Sequence, residues 1–143
     1  MKYAKSYLRN RFLLKRRKKS FSLKKFNFDL LFSLIKKHFY NKKIIIAGYY
    51  PSDYEVDILN FLESASKKNF KIVLPVIKSS NLMTYRSWLF KEPLYINGYG
   101  IPEPEKSKQE FIPDLVMVPL VAYDSKLNRI GYGKGYYDRS LKK

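Results

Sequence analysis

Between Asn128 and Ser140 the chain reads NRIGYGKGYYDRS, with glycines at 131, 133 and 135, a lysine at 134, tyrosines at 136 and 137 and an aspartate at 138. Glycines let a backbone approach a ligand closely and adopt positive φ, so that successive N–H groups can face an anion. A helix beginning near Tyr136 would add its positively polarised N-terminus. Lys134 and Arg129 supply counter-charge, and Asp138 offers a hard oxygen to a magnesium ion bridging phosphates. The chemistry open to this set is phosphate binding beside a metal ligand. Its plain rival is a glycine-rich hairpin whose tyrosines pack into the core. Two better-known phosphate loops are excluded by spacing. A Walker loop would need glycine at Asn128 and a hydroxyl at Gly135, and the dinucleotide fingerprint would need a small residue where Tyr136 stands.

The elements that must position these residues follow from periodicity. Leu8, Phe12 and Leu13 form an apolar stripe that predicts a helix from Tyr3 to about Lys18, with Lys5 and Arg9 four apart on one face. A second helix is expected over Asp29 to Tyr40, with Leu30, Leu31, Leu34, Ile35 and Phe39 inward. KIIIAGYYP reads as a strand covered on both faces, since Ile44, Ile45 and Ile46 are consecutive and β-branched. Tyr54 to Asn69 has helical period, with Val56, Leu59, Leu62 and Ala65 on one face, Ser52 or Asp53 as cap and Glu55 in or before the first turn. KIVLPVI from Lys71 is the next strand, and strand-helix-strand order predicts a parallel crossover. MTYRSWL reads as extended, PDLVMVP from Pro113 as a third buried strand, and VAYDSKLNRIGYGKGYYD as a loop entering a helix near Tyr136. The loop then lies beyond a strand's carboxyl end, where open α/β sheets bind ligands. Met83 and Trp88 are read as packing residues. Pro75, Pro104 and Pro119 punctuate strands and turns.

Composition narrows the chemistry further. The 143 residues predict one domain, able to bury roughly two-thirds of its unfolded surface. The absence of cysteine excludes disulfides and thiolate metal sites. His38 is the single histidine, so an ordinary zinc site has too few ligands, and its place in KKHFY suits a cation at a helix end. The net charge of +17 is concentrated: residues 1 to 28 hold eleven of the 29 basic residues and no acid. The run KRRKKSFSLKK, Lys15 to Lys25, can neutralise nucleic-acid phosphates, can serve as an acid-free transit segment, or can be a solvated helix end and loop. The last reading is preferred and nucleic acid is not favoured as a partner. FDLLFSLIKKHF is interrupted by Asp29 and Lys36 and is too short to span a bilayer, so a soluble, cytoplasmic protein is expected.

Taken together, the motifs resemble the 5-formyltetrahydrofolate cyclo-ligase family, also called methenyltetrahydrofolate synthetases. NRIGYGKGYYDRSL is similar to the family signature R-[LI]-G-x-G-x-G-Y-Y-D. AKSYLRNR matches its N-terminal K-x-x-x-R helix, AGYYPSDYEVD its strand and substrate glutamate, MTYR its M-x-[FY] element, GYGIPEP its G-[IL]-x-E-P turn, and PDLVMVPLVAYD its D-L-[IV]-x-x-P-x-x-x-[FY]-D strand. These motifs occur in family order along nearly the whole chain.

The resemblance implies a three-layer α/β/α, Rossmann-like domain with a mostly parallel sheet, and an ATP- and Mg-dependent conversion of 5-formyltetrahydrofolate to 5,10-methenyltetrahydrofolate with release of ADP and phosphate. It assigns Lys134 and Arg129 to catalysis. ATP is implied to meet Lys5, Arg9, Arg129, Gly131, Tyr132, Gly133, Lys134, Gly135, Tyr136, Tyr137 and Asp138. The folate is implied to meet Tyr50, Glu55, Tyr136 and Tyr137, and magnesium to meet Asp138. The plain rivals are that Lys5 and Arg9 are solvated helix cations and that Glu55 only complements a helix dipole. Family members continue through a further helix and strands, and another metal-side aspartate, whereas this sequence ends five residues beyond Asp138. That shortening leaves an inactive family remnant, self-association, a complementing chain, or a nucleic-acid- or anion-binding role for the basic run as alternatives. Ile58 stands where the family often has threonine.

Overall fold

A computed structural model of the chain describes residues 2–19, 27–52, 54–79 and 82–142. Helix α1 (Lys2–Lys19) is followed by α2 (Asp29–Phe39), strand β1 (Ile45–Ala47), α3 (Leu59–Lys67) and β2 (Lys71–Ile77). Then come β3 (Met83–Ser87), β4 (Tyr95–Ile96), β5 (Pro102–Glu103), β6 (Leu115–Val116), β7 (Ala122–Tyr123), β8 (Arg129–Ile130) and α4 (Tyr136–Ser140).

The central sheet has the order β3-β2-β1-β6. β1 pairs parallel with both β2 and β6, and β3 closes one edge antiparallel to β2. The expected α/β architecture with a parallel-dominated sheet is therefore present. Asp114 fixes where β6 joins it: its carboxylate accepts the Ile45 N–H at 2.7 Å while its own N–H donates to the Ile45 carbonyl at 2.9 Å. Pro75 lies inside β2 rather than at an end. The register of β1 on β2 stops at Val73, so the missing proline N–H removes no bond of that pairing.

Helices α2 and α3 cover one face of the sheet. Phe61, Leu62 and Ala65 of α3 and Ile35 of α2 pack against Ile44, Ile46, Ile72 and Leu74. Phe61 also meets the rings of Phe28 and Phe32, 5.3 and 5.0 Å away between centroids. Gly48 permits the close approach of β1 to α3, because a Cβ there would lie 2.6 Å from a Leu62 methyl carbon. The opposite face, formed by Ala47, Val73 and Tyr85, is covered more thinly, and the short helix α4 lies against β3.

Several expectations need correction. The helix predicted from Tyr54 begins at Leu59. Residues 55–58 have no regular structure; the Tyr49 hydroxyl donates to the Val56 carbonyl at 2.9 Å, and Asp57 accepts the Leu59 N–H at 2.9 Å where the helix starts. Ser52 is thus not its cap, Glu55 is not in its first turn, and Val56 is exposed rather than internal. The alternative cap, Asp53, lies outside the described residues. Leu30 and Leu34 of α2 are 72% and 44% exposed and face a groove instead of the core. PDLVMVP contributes only the two-residue, half-buried β6, paired on one side with β1 among the described residues. The segment read as a continuous loop before Tyr136 contains the β7–β8 hairpin.

Candidate active site

The glycine loop is delivered by the β7–β8 hairpin. Asp124 builds its turn by accepting the N–H groups of Lys126 and Asn128, both at 2.9 Å, and the Asn128 side-chain amide at 2.9 Å. These bonds, the Asn128 side chain first, hold the Asp124 carboxyl below its ordinary range. Arg129 opens β8, two residues before Gly131, and α4 starts directly after the loop. Gly133 and Gly135 have φ of 106° and 70°, so glycine is required there by backbone conformation. Gly131 has ordinary φ and open space where a side chain would be.

Helix α1 docks onto this loop from the other end of the sequence. The Arg9 Nε donates to the Gly131 carbonyl at 2.8 Å, and its guanidinium covers Gly133, 3.2 Å from an ideal Cβ position. Arg16, two turns later on the same face, donates to the Tyr54 carbonyl at 3.3 Å. Lys5, one turn before Arg9, remains exposed. The described part of the Lys15 to Lys25 run belongs to the end of α1, and residues 20–26 lie outside the described residues.

Within the loop, Lys134 holds its ammonium 3.4 Å from the centroid of the Tyr99 ring. The Tyr136 hydroxyl approaches that of Tyr99 at 3.5 Å, which raises the Tyr136 pKa. Tyr137 turns inward, where burial and then the neighbouring Tyr85, Glu55 and Tyr49 drive its pKa far upward. Asp138 is ion-paired with Arg129. Tyr132 and Glu55 both lie near Tyr49, whose pKa is raised by burial first and by Glu55 next. Glu55 folds back to accept the Ser52 N–H at 2.9 Å.

The expected folate contacts are divided between two hollows. Glu55 lines a groove of about 530 Å³ with Arg16, Tyr49, Leu31, Leu34 and Met117. Tyr50 lines another, of about 370 Å³, with Leu59, Trp88, Phe90, Ile96 and Pro102. The structure therefore gathers Arg9, Arg129 and residues 131–138 at one place and sets Glu55 and Tyr49 near Tyr137, while Tyr50 lines the second hollow and Lys5 is exposed on α1. Tyr49, Arg16 and Tyr99 were absent from the predicted set. Arg16 is legible in retrospect as the residue seven after Arg9 on one helical face; Tyr99 lies in GYGIPEP, directly before the G-[IL]-x-E-P turn, and nothing in that motif points to Lys134.

The chain has relatives among known proteins. The 5-formyltetrahydrofolate cyclo-ligase of Haemophilus influenzae is 34% identical over 102 residues, which cover 67% of this chain and 54% of that protein. The probable 5-formyltetrahydrofolate cyclo-ligase of Schizosaccharomyces pombe is 36% identical over 95 residues, covering 62% and 47%. The chain thus spans about half the length of the curated relatives it matches. Among solved structures, the 5,10-methenyltetrahydrofolate synthetase of Aquifex aeolicus superposes with a TM-score of 0.69 at 27% identity, over 96% of this chain and 72% of that one. That of Mycoplasma pneumoniae gives 0.66 at 24% identity, over 97% and 77%, and attests the fold. The sequence profile of the 5-formyltetrahydrofolate cyclo-ligase family matches residues 1–143, and the chain belongs to that family.

Proposed function

We propose that the chain binds ATP at the Arg9–loop junction and uses it to convert 5-formyltetrahydrofolate to 5,10-methenyltetrahydrofolate, ADP and phosphate. The observation that supports this reading is the docking of Arg9 on Gly131 and Gly133, which brings two separate family motifs into contact. The formyl oxygen attacks the γ-phosphorus and ADP leaves. N10 then attacks the activated formyl carbon and loses its proton to solvent, the C–O bond breaks, and phosphate carries away the oxygen. Such chemistry asks chiefly for positioning and for stabilisation of charge on the transferred group.

Arg9, Arg129 and Lys134 supply that charge, and the backbone of residues 131–135 supplies donors; Lys5 can join from the same face of α1. Glu55 accepts hydrogen bonds from heterocycle N–H groups at one end of the apolar groove, whose leucine and methionine walls suit a flat ring. Tyr50, from the second hollow, and Tyr136 and Tyr137, from the glycine loop, are the further side chains assigned to the folate. Among the described residues no group of three carboxylate or histidine side chains could hold a metal by itself. A magnesium ion held largely by phosphates and water, with Asp138 as its protein carboxylate, fits this donor set. When bound it would neutralise charge on the polyphosphate. Arg129, already paired with Asp138, would share that role.

The test is absorbance in the methenyl product band with purified protein, 5-formyltetrahydrofolate, ATP and magnesium, beside Lys134→Ala. ATP-dependent product that disappears in the variant is expected. No product from protein with a cooperative melting transition would sink the proposal.

A further inference from the structure

Glu103 is the charged side chain most deeply buried among the described residues, at 3% exposure. Its carboxylate accepts the Ile77 N–H at 2.8 Å, at the end of β2, and the Asn97 side-chain amide at 2.6 Å. The Asn97 side-chain oxygen in turn accepts the N–H groups of Tyr99 and Ile101, at 2.8 and 3.0 Å. Two backbone bonds, Asn97 N–H to Ile101 and Gly100 N–H to Asn97, both 3.0 Å, close the same turn. A buried carboxylate is costly unless its partners are well placed, and here one carboxylate anchors a whole surface turn to the sheet.

The tip of that turn is Tyr99, half exposed, with its ring under the Lys134 ammonium. Among the described residues no carboxylate pairs with Lys134. A lysine free on a surface samples many rotamers and loses that freedom on meeting a ligand. A ring face limits the sampling while leaving the outer N–H bonds of the ammonium available to an anion. We infer that Glu103, acting through Asn97, fixes Tyr99 as a platform that holds Lys134 ready over the glycine loop. Tyr99, Asn97 and Glu103 are positioning residues in this arrangement. The inference rests on the reading that Lys134 meets the phosphates of ATP.

Two measurements separate the platform from that reading. In NMR spectra without ligand, the Lys134 ε-methylene protons are expected to be shifted upfield by the Tyr99 ring. The shift should survive in Tyr99→Phe and Glu103→Gln and vanish in Tyr99→Leu and Glu103→Leu. In calorimetric titration with ATP, Tyr99→Leu should weaken binding about two- to fivefold while Tyr99→Phe stays near wild type. Adding Tyr99→Leu to Lys134→Ala should then cause no further loss. An upfield shift that persists in Tyr99→Leu, or is missing from wild type, overturns the platform. A shift that persists in folded Glu103→Leu removes Glu103 from it, and Tyr99→Leu keeps the ring contact testable if Glu103→Leu does not fold. ATP binding lost in Lys134→Ala but unchanged in Tyr99→Leu also overturns the positioning role. ATP binding untouched by Lys134→Ala overturns the phosphate reading instead.

Discussion

Alanine in place of Gly133 should disrupt the glycine loop, and the same change at Gly131 should leave the fold alone. At Gly133 the backbone has φ of 106°, a conformation that costs an L-residue about 1–3 kcal/mol. The new Cβ would also sit 3.2–3.4 Å from three atoms of the Arg9 guanidinium, so Arg9 must withdraw and lengthen its 2.8 Å bond to the Gly131 carbonyl. A hydrogen bond from a charged donor contributes about 1.5–3 kcal/mol, and partial exposure puts this one near the lower figure. Because a surface loop can open locally, about 2 kcal/mol is the expected net loss, equivalent to about 30-fold in ATP affinity. At Gly131 a Cβ meets nothing within 4 Å and φ is ordinary, so unfolding free energy should change by less than about 0.5 kcal/mol. Any loss of ATP affinity there reports a phosphate approaching the bare backbone. Urea unfolding and calorimetric ATP titration of both variants make the comparison. Two variants equal to wild type in both assays would refute the strain at Gly133 and the docking of Arg9 together.

Asp138→Asn should lower stability by no more than about 1 kcal/mol, since its pair with Arg129 is solvent-exposed, yet it should raise the magnesium concentration needed for turnover; urea unfolding and a magnesium titration of rate check each half. Leu62→Ala should cost about 2–5 kcal/mol in denaturant midpoint analysis, because Leu62 is fully buried, whereas Leu30→Ser should cost less than about 0.5 kcal/mol. Above pH 10, Tyr49, Tyr85 and Tyr137 should hold their protons in the folded chain while their unfolded counterparts ionise. Stability is then unaffected by these groups below the unfolded pKa and falls as pH rises above it, by up to about 1.4 kcal/mol per pH unit for each tyrosine. Urea unfolding across that range, with tyrosinate absorbance as the monitor, tests the sign.

Elements with a long, unbroken signal were legible in the sequence. β2 carries seven strand residues and α2 a three-turn apolar period, and both occur where that pattern puts them. The start of α3 was not, because a hydroxyl from Tyr49 holds Val56 out of the helix, a tertiary bond that overrides a plausible local period. The β7 and β8 strands have two residues each, too few for alternation to register. In the site, the glycine loop was legible by composition and Arg9 by its family motif. The Tyr99–Lys134 contact joins residues 35 positions apart through a ring face, and no spacing rule encodes it. The division between Glu55 and Tyr50 was likewise hidden, since five positions of sequence do not reveal on which side of a turn a side chain emerges.

The bond between Arg9 and Gly131 joins residues 122 positions apart. A ribosome adding about 5–20 residues per second would release Arg9 into the tunnel roughly 6–24 s before it adds Gly131. Strands β1, β2 and β3 can meet during that interval, while the basic first helix has no loop to grip. The docking of α1 on the glycine loop therefore comes late in biosynthesis, after the sheet can begin to form. A nascent chain short of Gly131 carries a positively charged first helix without the loop carbonyl that Arg9 holds in the finished fold.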